Sequence, residues 1–137
     1  MTRTISPQTA LIYVMVIAAV ADGELKDSEL AAIGEFIGLL PVFKGYDTEM
    51  LNEDAASCAA LLNKDDGIDT VIGLVKKALP VKLCETAYAL ACDIVACDGH
   101  ARQEELRWLE MVRHELGVER LHAAAIERGS RARFQRP

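Results

Sequence analysis

The 137-residue chain has few aromatic residues and no excess of basic charge. It also has no apolar stretch long enough to cross a membrane. Its longest apolar run, residues 10–21, holds about 12 residues, whereas a membrane-spanning helix requires roughly 20. No basic segment with an apolar core and a small-residue cleavage site precedes that run. We therefore expect a cytoplasmic protein that does not span a membrane.

Basic charge is scarce except at the carboxyl end. The chain has 15 Lys and Arg against 21 Asp and Glu, a net charge of −6, and residues 128–137 hold four of the arginines and no acidic residue. Residues 1–127 therefore carry eleven basic and twenty-one acidic side chains, a net charge of −10. Binding to a phosphate backbone needs the opposite balance, so we expect no nucleic-acid partner. We predict a domain over 1–127 and a basic, flexible tail over 128–137.

Signatures of common enzymes are also missing from the sequence. There is no P-loop, no G-x-S-x-G, no H-E-x-x-H and no dinucleotide-binding glycine fingerprint. The four cysteines, at positions 58, 84, 92 and 97, form no C-x-x-C pair, and most fall within apolar helical patterns. They are typical of reduced core thiols in a cytosolic protein. We expect a protein that is not an enzyme and has no organic cofactor.

Helical periodicity dominates the remaining sequence. About half of the residues are apolar, which suits one domain with one core, and no segment alternates as a strand would. The sequence predicts an all-α, single-domain bundle of about seven helices. The first four run over about 7–21, 27–39, 47–64 and 68–79. The fifth follows Pro80 and ends near residue 97, the sixth ends at Gly117, and the seventh runs over about 118–128.

The chain contains an internal repeat at an offset of 76 residues. The offset aligns Asp22-Gly23 with Asp98-Gly99, and Glu29 with Glu105. Apolar positions of the following helix align as well, so the sequence holds two copies of a helix–Asp-Gly–helix unit. In each copy the Glu follows the Asp by seven residues.

The two segments A-D-G-E-L-K-D-S-E-L and C-D-G-H-A-R-Q-E-E-L, each after an apolar helix, resemble the duplicated motif of the TerB (tellurite-resistance) family. They are also similar to the amino-terminal domain of the DjlA co-chaperones, and the resemblance covers roughly residues 8–117. It implies an all-helical fold, a role in tellurite or general stress resistance, and metal binding by the acidic loop residues. The chain departs from the family pattern at Lys26 and Arg102, where a helix-capping Ser or Thr is common.

The acidic residues of the repeat predict a divalent-metal site formed by Asp22, Glu29, Asp98 and Glu105. Calcium and magnesium prefer several oxygen ligands, and the end of a helix already exposes carbonyl oxygens with partial negative charge. Each loop alone supplies about two carboxylates, half of an EF-hand-like set, so a strong site requires both loops to pool their ligands. His100 is a possible nitrogen ligand, which would favour zinc; zinc and manganese are the second choice of metal.

A purely structural interpretation of these loops remains open. Asp-Gly is a common turn dipeptide, and a Glu in the first turn of a helix can accept a hydrogen bond from the preceding backbone. A third Asp-Gly, at Asp66-Gly67, lacks the following Glu and is interpreted as a turn and helix cap. A helical wheel places Asp93 on the side away from Leu90 and Ile94, which predicts that it faces solvent.

Two functions follow as hypotheses. The first is a non-enzymatic, TerB-like stress-response protein that binds a divalent cation. The second is a helical protein–protein interaction module, similar to a co-chaperone domain, whose Asp-Gly loops are structural. In either case we expect a protein partner, and the sequence specifies neither that partner nor an oligomeric state.

Overall fold

The computed structural model describes residues 4–20, 25–97 and 103–137, which form seven α-helices and three single 3₁₀ turns with no β-strand among them. The predicted all-α bundle is confirmed. The helices are α1 (Pro7–Ala19), α2 (Asp27–Leu39), α3 (Leu51–Leu62), α4 (Gly67–Ala78), α5 (Cys84–Cys97), α6 (Gln103–Leu116) and α7 (Arg120–Arg133). The 3₁₀ turns are Pro41–Phe43, Thr48–Met50 and Val81–Leu83.

Helix α1 lies at the centre of the bundle. It begins where the sequence predicts, because the Ser6 hydroxyl accepts a hydrogen bond from the Thr9 N–H at 3.1 Å and Pro7 occupies the first turn. Every residue from 10 to 19 is buried. A helix that is apolar on all sides must be covered on all sides, and α1 contacts α2, α3, α4, α5 and α6.

Helix α5 is the second inner helix. It packs along α1 and also contacts α2, α6 and α7. Its inner face carries the periodic apolar residues that the sequence indicated, together with Tyr88, and these residues are buried. The two helices that precede the Asp-Gly segments in the repeat therefore form the centre of the bundle.

Polar contacts fasten the segment between α2 and α3 to the start of α1. The Gln8 amide donates to the carbonyl oxygens of Val42 and Lys44 at 3.2 and 3.0 Å. The Tyr46 hydroxyl donates to Asp54 at 2.5 Å. Burial and the adjacent Asp54 carboxylate raise the pKa of Tyr46, so its hydroxyl remains a donor at neutral pH.

The third Asp-Gly forms a tight turn before α4. Asp66 occupies the N-cap of α4, as predicted, in a left-handed conformation with φ of 59°, and its side chain makes no capping hydrogen bond. Its carbonyl oxygen instead accepts from the Thr70 N–H and hydroxyl at 3.0 and 3.1 Å. A Cβ at Gly67 would lie 2.3 Å from the Leu61 carbonyl oxygen, so only glycine fits this close approach.

Helix α7 differs from the prediction, because it continues past residue 128 to Arg133 and packs on the bundle. Ser130 is buried, Arg133 pairs with Asp93 at 2.7 Å, and the Phe134 ring meets Phe36 edge-on at 6.5 Å. The expected flexible tail over 128–137 thus begins inside a helix that contacts α5, and Phe134 just after that helix contacts α2. The prediction that Asp93 faces solvent is wrong, since its side chain is 14% exposed beneath α7.

None of the four cysteines forms a disulfide; Cys58 and Cys92 are buried and the other two are partly buried. No helix in the described part of the chain combines the length and the apolar character that crossing a bilayer requires.

Candidate metal sites

The predicted metal ligands divide into two groups. Asp22 and Asp98, with their glycines and His100, lie outside the described residues. Glu29 and Glu105 are described, and they occupy equivalent positions in the first turns of α2 and α6. Glu29 and Glu105 are therefore the two predicted metal ligands whose positions the structure describes.

Glu29 forms a capping interaction at the start of α2. One of its carboxylate oxygens, Oε1, accepts a hydrogen bond from the Lys26 N–H at 3.0 Å. Lys26 has no side-chain acceptor to return the interaction, so this is half of a capping box. The contact is the one that the structural interpretation of the loops expects. A carboxylate has about four lone-pair positions on its two oxygens, so the contact is also compatible with metal binding.

Glu105 is buried, with 8% of its surface exposed, whereas its neighbours Gln103 and Glu104 are exposed. A buried carboxylate is costly without compensation, and the first turn of a helix provides some through its partial positive charge. The repeat thus places Glu29 at a partly buried position and its counterpart Glu105 at a buried one.

The helices around the two segments also pack against one another. α1 and α5 are in contact, α2 contacts α5, and α6 contacts α1. Each repeat unit therefore touches the other through both of its helices. Among the described residues, no group of three or more His, Cys, Asp or Glu side chains is close enough to hold a metal ion.

Two pockets include described residues that flank the Asp-Gly segments in the sequence. The larger, of about 770 Å³, includes Val20 and Leu25, which flank the first segment, together with Trp108 of α6. Its rim carries polar residues of the α3–α4 turn, including Lys64 and Asp66. The smaller pocket, of about 370 Å³, lies between α5, α6 and α7 and includes Ala96 and Leu106 on either side of the second segment.

Sequence reasoning did not identify the polar residues of the smaller pocket. The Tyr88 hydroxyl donates to the Glu127 carboxylate at 2.5 Å, and burial and this contact raise the pKa of Tyr88. Burial also raises the pKa of the neighbouring Cys92 thiol, to about 12, so Cys92 is neutral at physiological pH. The periodic positions of Ala123, Ser130 and Phe134 were a signal that α7 packs on the bundle, although they did not indicate which residues it meets.

Comparison with protein-family models, curated proteins and solved structures gave no match for this chain.

Proposed function

We propose that the protein is a non-enzymatic, TerB-like helical module of the cytoplasm that binds a divalent cation through its two Asp-Gly…Glu segments and acts in tellurite or general stress resistance. The observation that carries the proposal is the equivalent position of Glu29 and Glu105, each in the first turn after an Asp-Gly segment, in two helix pairs that pack together. The acidic body of the protein, with its net charge of −10 over residues 1–127, favours a cationic ligand.

The chemistry suits a hard cation. Asp22 and Asp98 follow the ends of α1 and α5, where backbone carbonyl oxygens carry partial negative charge. Carboxylates and carbonyls are the ligands that calcium and magnesium prefer, which makes these the first candidates. A cation would offset the repulsion among these negatively charged groups.

Thermal unfolding of the metal-stripped protein tests this proposal. Calcium, magnesium, manganese or zinc is added to the wild type and to the Asp22→Asn/Asp98→Asn double variant. A cation at 100 times its dissociation constant stabilises the wild type by about 2.7 kcal/mol, and we expect this shift to be lost in the double variant.

Asp66→Asn is the matched control, because it alters an Asp-Gly turn that has no following Glu, and Asn tolerates the left-handed conformation of residue 66. We expect Asp66→Asn to keep the full cation response. Equal responses of the wild type and the double variant to all four cations would overturn the proposal.

A second candidate function is the protein–protein interaction module. Two large aliphatic side chains, Val81 and Leu121, are 90% and 78% exposed. In sequence, Val81 precedes Glu85 by four residues and Leu121 directly precedes His122. The imidazole Nδ1 of His122 lies 2.8 Å from the Glu85 carboxylate, which links the starts of α5 and α7. An exposed apolar patch is typical of a contact surface for a partner, and these two side chains are candidates for such a surface.

Affinity capture from cell extract with three baits separates the two candidates. The interaction module predicts a specific partner that is retained by wild type and by Asp22→Asn/Asp98→Asn and lost by Val81→Lys/Leu121→Lys. Loss of that partner in the Asp-Gly variant alone would instead assign binding to the loops.

A further inference from the structure

The pocket between α5, α6 and α7, here the α7 pocket, combines an apolar wall with polar groups that have capacity for a ligand. Val95, Leu106 and Leu109 form the wall. Its volume of about 370 Å³ lies within the range of small-molecule sites, at the lower end. It suits a ligand of the size of an amino acid.

Ser130 supplies the clearest indication that the α7 pocket has a ligand. The residue lines the pocket and is 2% exposed, and its hydroxyl makes no hydrogen bond within the described part of the chain. Buried hydroxyls are nearly always hydrogen-bonded, because leaving one unpaired forfeits its interaction with water. A polar group of a ligand in the pocket would supply the missing hydrogen-bond partner of the Ser130 hydroxyl.

The charges around the pocket comprise one available anion and one available cation. Glu110 is paired with Arg113 at 2.8 Å, so its charge is already matched. Among the described residues, Glu127 accepts the neutral Tyr88 hydroxyl and forms no ion pair, and Arg131 forms no ion pair. The hydrogen bond with Glu110 raises the pKa of Arg113, and the charge of Glu127 also raises it. Cys92 adds no charge, because its thiol remains protonated.

We propose that the α7 pocket binds a small zwitterion with an apolar side chain, that is, a free apolar amino acid. The ammonium group pairs with Glu127, the carboxylate pairs with Arg131, the side chain packs on Val95, Leu106 and Leu109, and Ser130 provides a further hydrogen bond. Amino-acid binding in the α7 pocket does not depend on a metal ion at the Asp-Gly segments. The two proposals can therefore fail independently.

An NMR titration of amide chemical shifts with three related compounds tests the proposal. L-Leucine carries both charges, isoamylamine lacks the carboxylate, and isocaproate lacks the amine. We expect saturable shifts at Val95, Leu106 and Ser130, with leucine binding at least about tenfold more tightly than either analogue, because one charge-assisted hydrogen bond contributes about 1.5 kcal/mol or more. Absence of saturable shifts, or equal binding by isoamylamine or isocaproate, would overturn it.

Single substitutions locate the site. Arg131→Gln and Glu127→Gln each remove one charge, and the amide oxygen introduced by Glu127→Gln would still accept the Tyr88 hydrogen bond. We expect each substitution to weaken leucine binding by about tenfold. Arg128→Gln and Glu104→Gln are the controls, because both residues are exposed on helices that border the pocket but do not line it. Unchanged leucine affinity in Arg131→Gln, whose exposed side chain does not support the fold, contradicts the proposal.

Ser130→Ala separates binding from folding. Removal of a buried, unpaired hydroxyl raises the midpoint of thermal unfolding whatever the role of the pocket. The proposal adds that leucine affinity falls by about fivefold, as expected for one lost hydrogen bond. A more stable variant with unchanged leucine affinity would show that Ser130 takes no part in binding.

Discussion

The two copies of the repeat use the same motif differently. In the first copy α1 is buried on all sides and Glu29 caps α2 near the surface; in the second, α5 carries polar residues under α7 and Glu105 is buried. The 76-residue offset aligns buried Ile17 with ion-paired Asp93. The additional helix α7 covers one face of the second copy and allows polar residues there, whereas residues 10–19 of α1 in the first copy are all apolar and buried.

The largest expected difference between the two copies is in the free energy of unfolding lost on substitution of residue 17 or residue 93. Ile17→Ala leaves a cavity in the centre of the bundle and should lower the free energy of unfolding by about 3–4 kcal/mol. Asp93→Ala removes an ion pair whose Arg133 is half exposed and should cost about 1 kcal/mol. Urea unfolding measures both, with Ile17→Val, at about 1 kcal/mol, as the control for side-chain volume. Equal losses of unfolding free energy for Ile17→Ala and Asp93→Ala would contradict the proposed difference between the two copies.

Charge reversal of the two glutamates is the next contrast. Glu105→Lys places a cation in a buried first turn, against the helix dipole, and should destabilise the protein by about 2–3 kcal/mol. Glu29→Lys removes a cap at a more exposed position and should cost about 1 kcal/mol. Urea unfolding in metal-free buffer tests the pair, and a larger loss for Glu29→Lys would contradict the assigned burial.

The offset also aligns Val16 with Cys92, which gives a pH-dependent contrast. Burial raises the pKa of the folded Cys92 from 9.0 to about 12, so above about pH 9 the unfolded chain loses this proton first and stability falls, by at most about 1.4 kcal/mol per pH unit from this group. Cys92→Val, which makes α5 resemble α1 here, should flatten the decline between pH 9 and pH 11. Urea unfolding at those pH values measures the difference. An unchanged slope would mean that Cys92 is not the titrating group.

The smallest expected effect on stability comes from a substitution that completes the N-terminal cap of α2. Lys26→Ser adds the missing hydroxyl acceptor opposite Glu29 and should stabilise the protein by about 0.5–1 kcal/mol. In the Glu29→Ala background the same substitution should still help, but less than in the wild type, because the reciprocal half of the box is absent. Thermal unfolding of the four proteins gives this coupling.

Local patterns predicted much of the fold. Ser6-Pro7 marked the start of α1 correctly, and three- and four-residue spacings indicated α2, α4, α5 and α6. The errors have a common cause, since they arise where distant segments meet. A helical wheel correctly places Asp93 away from the α1 side of α5, but it contains no information that α7 covers the other side and brings Arg133 to it.

The candidate site was less accessible to prediction than the fold. The sequence identified Glu29 and Glu105, and the structure gives each a defined environment, while the metal set that also includes Asp22 and Asp98 stays a prediction. Tyr88, Glu127 and Ser130 were not identified, because a hydrogen bond between residues 39 positions apart leaves no local periodicity.

The complete enclosure of α1 has a consequence for how the protein can be observed. Since five helices surround it, its backbone amides are exposed to solvent only when the bundle as a whole opens. Deuterium uptake over residues 10–19 should therefore be the slowest in the chain and should report the global free energy of opening without heat or denaturant. A cation or amino acid that binds the folded protein would slow that uptake, even where it contacts no residue of α1.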